Sequence, residues 1–546
     1  MTKRLLILFV VFILSFVQVT LHLYAIATKG NEVYAVQAQR QQQAELTLCQ
    51  RGGLITDCRG EPLNYEERGY AALVEPDACE DLLRVARRLA AASELTVKAA
   101  EKRLEQGAPF GILLHTPVEE EGITCFPTLQ RRATPPAIHL VGTLSADESR
   151  ARSGMEAAYE SYLRSCSARV YAALQKTAAG GLLSTKAALI DEGYHRTSGV
   201  MTTLDIRLQE ALEQATTELA SGAAILMRLD GSIAAAVSRP AYGGDEVGSL
   251  LDSEHGELIN RVLAPYNVGS IFKLVVAAQT LERGAQTPVF NCPGSVMVEG
   301  RVFYCHKRDG HGVLTLEEAM EKSCNVYFIS LLLQQGEEGY SATLEMARKL
   351  GIDGGSLLCR GIAEQAGNLP AEVWSGQLAA NLAIGQGSLL ATPLDLARLT
   401  CCIASGGMLQ QPRLIEGMLQ EGKLLRDLAD GKSEPVRLLS AETAQKLRHM
   451  MEETCRRGTG TTAQPEGFSV AGKTASAETG WVEQGEPVVH GSFAGYFPVD
   501  DPQFGLVVIV ENGKSGSVSA APIFREAAQR TMEILAGSEE PRKMPE

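Results

Sequence analysis

In the stretch GSIFKLVVAA, residues 269–278, Lys273 interrupts an apolar run in the first turn of an expected helix. The positive end of the helix macrodipole and removal from water both disfavour an ammonium there, and both lower its pKa. Ser270 precedes it by three residues, a spacing that places the two side chains on one helical face. A serine hydroxyl is a poor nucleophile at its ordinary pKa, and a lysine stripped of its proton is a base able to activate it. The pair therefore predicts a serine nucleophile with a lysine as its base. Alone, Ser-x-x-Lys is a weak signal, matched equally by a lysine that snorkels from a core helix. Two further triplets strengthen it: Ser323-Cys324-Asn325 opens a second helical stretch, and Lys473-Thr474-Ala475 lies on an expected strand.

The elements that must carry these residues follow from apolar periodicity and turn residues. A helix with Asp205 near its start leads into two apolar strands flanking Asp230-Gly231, a two-residue hairpin signal. FSVAGKTASAE, HGSFAGYFPV and FGLVVIVENG supply three more strands near the other end. Apolar helices are expected between them at 270–283, 315–333, 376–384 and 393–404. Strands at both ends with helices between imply an α+β fold whose termini meet in one antiparallel sheet. Upstream, residues 80–106 read as helical, and RGGLITDCRGEPLNYEERGYAALVEP reads as short strands and turns.

With 546 residues, 45% hydrophobic and 21% charged, the chain has room for two or three globular domains. A net charge of −14 without a basic block argues against a nucleic-acid partner. Residues 5–27 form an apolar run without a formal charge, preceded by Lys3 and Arg4, long enough to span a bilayer; a signal peptide cleaved after AIA at 25–27 is the alternative, but the run exceeds the usual length of such a segment. Basic residues stay cytoplasmic, so the rest of the chain is expected outside the cytoplasm. The expected order is a cytoplasmic stub and anchor at 1–27, a stalk and pedestal at 28–195, a catalytic domain at 196–537 and a disordered tail at 538–546. Twelve cysteines over this length are too dilute for a disulfide scaffold, and no C-x-x-C pair marks a zinc site. No metal and no cofactor are expected.

Ser-x-x-Lys, Ser-x-Asn and Lys-Thr-small, in that order, are the motif set of penicillin-binding proteins and serine β-lactamases. The chain resembles a class B penicillin-binding protein, a monofunctional peptidoglycan D,D-transpeptidase of the division or sporulation type. RGGLITDCRGEPL, HLVGTL and SGMEAAYESYL are similar to that family's pedestal, and TTLDIRLQ, GHGVLTLEEAMEKSCNVYF, AIGQGSLLATPLDLA and HGSFAGYFP to its transpeptidase domain. The resemblance implies a serine-acyltransferase fold of the β-lactamase-like kind, with a five-stranded antiparallel sheet. It implies that Ser270 attacks the penultimate D-Ala carbonyl of a wall stem peptide while Lys273 takes the hydroxyl proton. Ser323 and Lys473 would relay a proton to the leaving amine, and Asn325 would hold the substrate amide. Thr474 and Ser476 would bind the terminal carboxylate, with the N–H groups of Ser270 and Ser476 as oxyanion hole. It further implies inhibition by β-lactam antibiotics and partnership with a polytopic glycosyltransferase that polymerises glycan. The family's third motif usually ends in Gly where this chain has Ala475, whose methyl would narrow the cleft.

Four other readings compete for the sequence. GFSVAGKT, residues 467–474, fits the P-loop pattern, but the strand before and helix after it that a P-loop needs are missing. A D,D-carboxypeptidase differs only in passing the acyl group to water, and a wall-peptide or β-lactam sensor or scaffold would not turn over. A β-lactamase would need a device to activate deacylating water, and none is identifiable. Cys305 and Cys324 either pair in a disulfide that distorts the cleft or are buried free thiols. His311 and His490 each precede glycine and read as turn or strand-edge residues.

Overall fold

The computed structural model describes residues 2–29, 43–145, 147–176, 187–243, 247–425, 434–483 and 485–537. Most of the expected stalk and the tail at 538–546 lie outside the described residues. Helix α1 (Thr2–Lys29) carries the apolar run. Its Lys3–Ala27 stretch of 25 residues is long and apolar enough to cross a membrane, rising about 38 Å against a hydrocarbon core of about 30 Å.

The chain divides into two compact units. The boundary read at residue 195 is crossed twice: 53–65 and 131–166, assigned from sequence to the pedestal, belong to the unit that contains 197–546. The reason is strand pairing. Leu54–Thr56 lies parallel to Gly199–Thr202, which pairs antiparallel with Ile415–Gln420. No local pattern marks so short a strand as the partner of a segment far along the chain.

The first unit contains two three-stranded sheets. One of them is packed by helices Leu82–Ala92 and Val97–Glu105 through Ala72, Val74, Val85, Leu89, Leu104 and Leu114. The helical region read over 80–106 is thus two helices. Ser93 closes the first, and Thr96 caps the second by accepting from the Ala99 N–H.

The second unit is built on a five-stranded antiparallel sheet. Its strands are β1 (Gly222–Arg228), β2 (Ile233–Arg239), β3 (Ala471–Glu483), β4 (Glu486–Phe497) and β5 (Phe504–Val510), in the order β2-β1-β5-β4-β3. Both faces are buried, so β1 and β5 read as nearly unbroken apolar runs. Ala224, Leu226, Leu506, Val508 and Phe493 face one layer with Phe524 and Ala528, while Ile225, Met227, Val507, Ile509 and Ala494 face the other. Helices α2 (Ile206–Ala215) and α8 (Ala521–Ala536) cover the first face. Asp205 caps α2, and its side chain accepts from the Arg207 N–H.

The other face carries α3 (Lys273–Glu282), α4 (Leu316–Glu321), α5 (Asn325–Lys349), α6 (Pro393–Ala404) and α7 (Ala441–Arg456). Here the sequence reading needs correction twice. Ser270 lies in a 3-10 turn, Gly269–Phe272, that precedes α3 rather than in the helix itself. The helix read over 315–333 is two helices, broken at the second motif.

Candidate active site

Ser270 owes its placement to Gly269, whose φ of +60° starts the 3-10 turn. A side chain there would meet the Ala475 methyl at 3.2 Å and lie in a conformation L residues avoid. Side chains three apart eclipse in a 3-10 turn, so Ser270 and Lys273 meet as the helical reading intended. Lys273 Nζ lies 3.0 Å from Ser270 Oγ, and the Lys273 side chain is 0% exposed.

Ser323 is set by the stop of one helix and the start of the next. The Ser323 N–H donates to Met320 O and the Cys324 N–H to Ala319 O, the double closure of a Schellman motif. Ser323 takes the left-handed position of that motif at φ +50°, where glycine is usual. Cys324 then caps α5, its sulfur accepting from the Tyr327 N–H at 3.4 Å. Asn325, the first residue of α5, donates from Nδ2 to Tyr304 O at 3.0 Å. That bond turns its Oδ1 toward Lys273 Nζ, 2.8 Å away.

Lys473 lies on β3, at the edge of the sheet. Its Nζ is 2.9 Å from Ser323 Oγ and 3.0 Å from Thr474 O, and its side chain is 0% exposed. Strand alternation turns Thr474 and Ser476 to the opposite side. Thr474 Oγ1 shares a 2.7 Å hydrogen bond with Thr459 Oγ1, and Ser476 Oγ accepts from the Gly516 N–H at 3.2 Å. The structure thus brings Ser270, Lys273, Ser323, Asn325 and Lys473 into one hydrogen-bonded cluster, with Thr474 and Ser476 on the strand that supplies Lys473. Ala475 is 2% exposed, and its methyl faces the Gly269 turn rather than open space.

Two buried lysines beside one serine cannot both carry charge cheaply. Burial lowers Lys273 from 10.5 to about 8, against the nearby Cys324 and Cys305 sulfurs, which raise it. Burial and the Lys273 charge hold Lys473 well below the ordinary lysine range. The hydrogen-bond pattern shows what neutral Lys273 does. Two of its partners, Ser323 O and Asn325 Oδ1, both at 2.8 Å, can only accept. They take the two N–H groups of a neutral amine and leave its lone pair for a hydroxyl, Ser270 at 3.0 Å or Ser323 at 3.2 Å.

The P-loop reading fails on geometry. Residues 467–474 run into β3 with no helix after them, and Lys473 is buried against Ser323 instead of reaching a phosphate. Sequence reasoning missed Thr459, which sits in an unremarkable polar loop, and the Phe328 ring lying 5.7 Å from Lys273 Nζ. It also missed a cluster directly behind the second motif. Cys292, Cys305, His311 and Cys324 bring their sulfurs and one ring nitrogen within 4.8 Å of one another. His311, read as a turn residue, is part of that cluster, and Cys305 and Cys324 are free thiols with sulfurs 3.9 Å apart.

A serine whose hydroxyl faces a buried amine, hung at the edge of an antiparallel sheet, defines a class: active-serine acyltransferase domains that use lysine as base. Comparison with known proteins narrows it. The description "Penicillin binding protein transpeptidase domain" matches residues 222–529, more than half of the chain. PbpB of Mycolicibacterium smegmatis is 32% identical over 307 residues, covering 52% of this chain and 45% of PbpB. The chain thus spans about half the length of that relative. Peptidoglycan D,D-transpeptidase PbpA of Mycobacterium tuberculosis is 28% identical over 369 residues, covering 62% of this chain and 73% of PbpA. Among solved structures, a chain of a peptidoglycan synthase complex superposes with a TM-score of 0.67 at 23% identity, covering 98% of this chain and 99% of that one. The chain belongs to the penicillin-binding protein transpeptidase family.

Proposed function

We propose that the chain is a peptidoglycan D,D-transpeptidase. Lys273 takes the Ser270 proton as Ser270 Oγ attacks the penultimate D-Ala carbonyl of a stem peptide. The N–H groups of Ser270 and Ser476 receive the oxyanion. Ser323, bridged to both lysines, carries a proton to the leaving nitrogen, D-Ala departs, and the peptide remains as an ester on Ser270. An amine from a neighbouring strand of wall attacks that ester, restores the hydroxyl and leaves a cross-link. Asn325 holds the substrate amide, and Thr474 and Ser476 hold the terminal carboxylate. A β-lactam acylates the same hydroxyl when its strained amide opens. The observation that carries this reading is the 3.0 Å contact between the buried Lys273 Nζ and Ser270 Oγ, made while two obligate acceptors, Ser323 O and Asn325 Oδ1, engage the same nitrogen.

The same reading places α1 in the cell membrane and both compact units outside the cytoplasm, supported by Lys3 and Arg4 at the N-terminal end of the apolar run. The first unit serves as a non-catalytic pedestal. The partner is a polytopic glycosyltransferase that polymerises the glycan, a proposal supported by the likeness to a chain of a peptidoglycan synthase complex. The test uses a fluorescent penicillin on the full chain, with Ser270→Ala as control, followed by a donor stem peptide with and without a labelled acceptor amine. Labelling that depends on Ser270, and incorporation of the amine, are expected. Release of D-Ala without amine incorporation would move the reading to a carboxypeptidase, and absence of labelling to a binding scaffold.

A further inference from the structure

Behind the second motif, three cysteines and a histidine converge from separate segments. Cys292 ends the strand Phe290–Cys292, which pairs with Gly312–Leu314 in the register Cys292 to Gly312. The His311 N–H donates to Cys292 O at 3.1 Å, and the Cys305 N–H to Gly294 O at 2.9 Å, locking both loops together. The turns leave no slack. A side chain at Gly294 would meet Arg308 O at 1.8 Å, and one at Gly310 would meet Cys292 O at 2.2 Å. Cys292, Cys305 and Cys324 are 2%, 1% and 0% exposed.

The distances fit a ligand set. A tetrahedral zinc ion with arms of about 2.3 Å to sulfur and about 2.0 Å to nitrogen has S···S edges of about 3.8 Å and S···N edges of about 3.5 Å. Cys305 and Cys324 stand 3.9 Å apart, and His311 Nδ1 lies 3.4 Å from the Cys305 sulfur and 3.7 Å from the Cys292 sulfur. These three edges match such a tetrahedron, all four ligand atoms lie within 4.8 Å of one another, and the imidazole turns a nitrogen toward two of the sulfurs. Three thiolates and one imidazole are a soft set that selects zinc over magnesium, calcium or manganese. The Tyr327 N–H donates to the Cys324 sulfur at 3.4 Å and fixes its direction at the start of α5.

We propose that Cys292, Cys305, His311 and Cys324 form a structural zinc site that holds the second motif in place. Cys324 stands between Ser323 and Asn325, so a bond from its sulfur to the metal fixes both neighbours. It also retains Ser323 in the left-handed conformation at φ +50°, which an L residue leaves readily when unsupported. The ion touches no substrate. It ties the Cys292 strand, the Cys305 loop and the start of α5 into one body.

The test is metal analysis of the full chain purified in detergent without chelator. About one zinc per chain is expected in the wild type, and under about a tenth in Cys292→Ser and His311→Ala, with Cys401→Ser as an unaffected control. Replacing zinc by cobalt in the wild type should give intense thiolate-to-cobalt charge-transfer absorption and tetrahedral visible bands, a readout that stands even if the variants do not fold. A wild-type chain that takes up no zinc and shows no such spectrum after reconstitution, or variants that retain full zinc, would overturn the site. Stripping the metal should lower the rate of labelling by fluorescent penicillin about tenfold, reversed by adding zinc. Zinc bound at this set with an unchanged labelling rate in the stripped protein would overturn its positioning role.

Discussion

Raising the pH turns on acylation of Ser270 along the titration of Lys273. With burial holding Lys273 at about 8, the amine is neutral in about 1% of molecules at pH 6, about 9% at pH 7 and half at pH 8. The second-order rate constant for labelling by fluorescent penicillin therefore rises about ninefold from pH 6 to 7 and about fivefold from pH 7 to 8, and it levels off above about pH 9. Lys273→Arg is the matching perturbation, because a guanidinium stays charged throughout this range and cannot accept the hydroxyl proton. Its labelling rate falls about 10²- to 10⁴-fold, and the inflection near pH 8 disappears. A wild-type rate that is flat from pH 6 to 9, or an Arg variant that labels at the wild-type rate, would refute the role of the neutral amine.

The same titration predicts a stability effect of definite sign. A lysine that falls from 10.5 to about 8 on folding binds its proton more tightly in the unfolded state. Stability is therefore penalised by about 3 kcal/mol below pH 8, and the penalty is relieved as pH rises from about 8 to 10.5. Denaturant unfolding of Lys273→Met against wild type reads this as a free-energy difference that changes by about 3 kcal/mol across that window; a constant difference would contradict it. Thr459→Val removes the 2.7 Å bond to Thr474 and lowers the acylation rate roughly fivefold, equivalent to about 1 kcal/mol, without moving the pH inflection, as stopped-flow labelling would show. Ala475→Gly deletes a buried methyl that faces the Gly269 turn; denaturation should give a loss of about 1 kcal/mol with labelling changed less than about threefold. A chain lacking residues 1–29 should remain in the supernatant after ultracentrifugation and still label at Ser270, whereas the full chain sediments with membranes.

Much of this protein could be read without coordinates, because the signals concerned are local or linear. A lysine within an apolar run three residues after a serine is a local anomaly, and it led to the buried pair Ser270 and Lys273, proposed as nucleophile and base. The apolar strands around Asp230-Gly231 and at the far end of the catalytic domain are periodic over short windows, so the five-stranded antiparallel sheet could be anticipated. Apolar residues 5–27 announced α1 by length alone. Ser323 and Lys473 were identified only as parts of ordered motifs, since nothing around either one declares what it meets.

Tertiary structure decided the rest. The 2.9 Å contact between Lys473 and Ser323 joins residues on an edge strand and a helix junction, and it removed the P-loop reading of the same residues. Pairing of Leu54–Thr56 with Gly199–Thr202 redrew the boundary between units, because strand partners are chosen by burial and register rather than by proximity in sequence. The cysteine and histidine cluster was invisible for a similar reason: its four members are scattered over residues 292–324 and converge only when two tight turns and a helix cap close around them. Residue types and local spacing determined which chemistry this chain can perform. Long-range pairing decided which groups share a proton and which could share a metal, since both require distances of a few ångströms that a linear pattern does not encode.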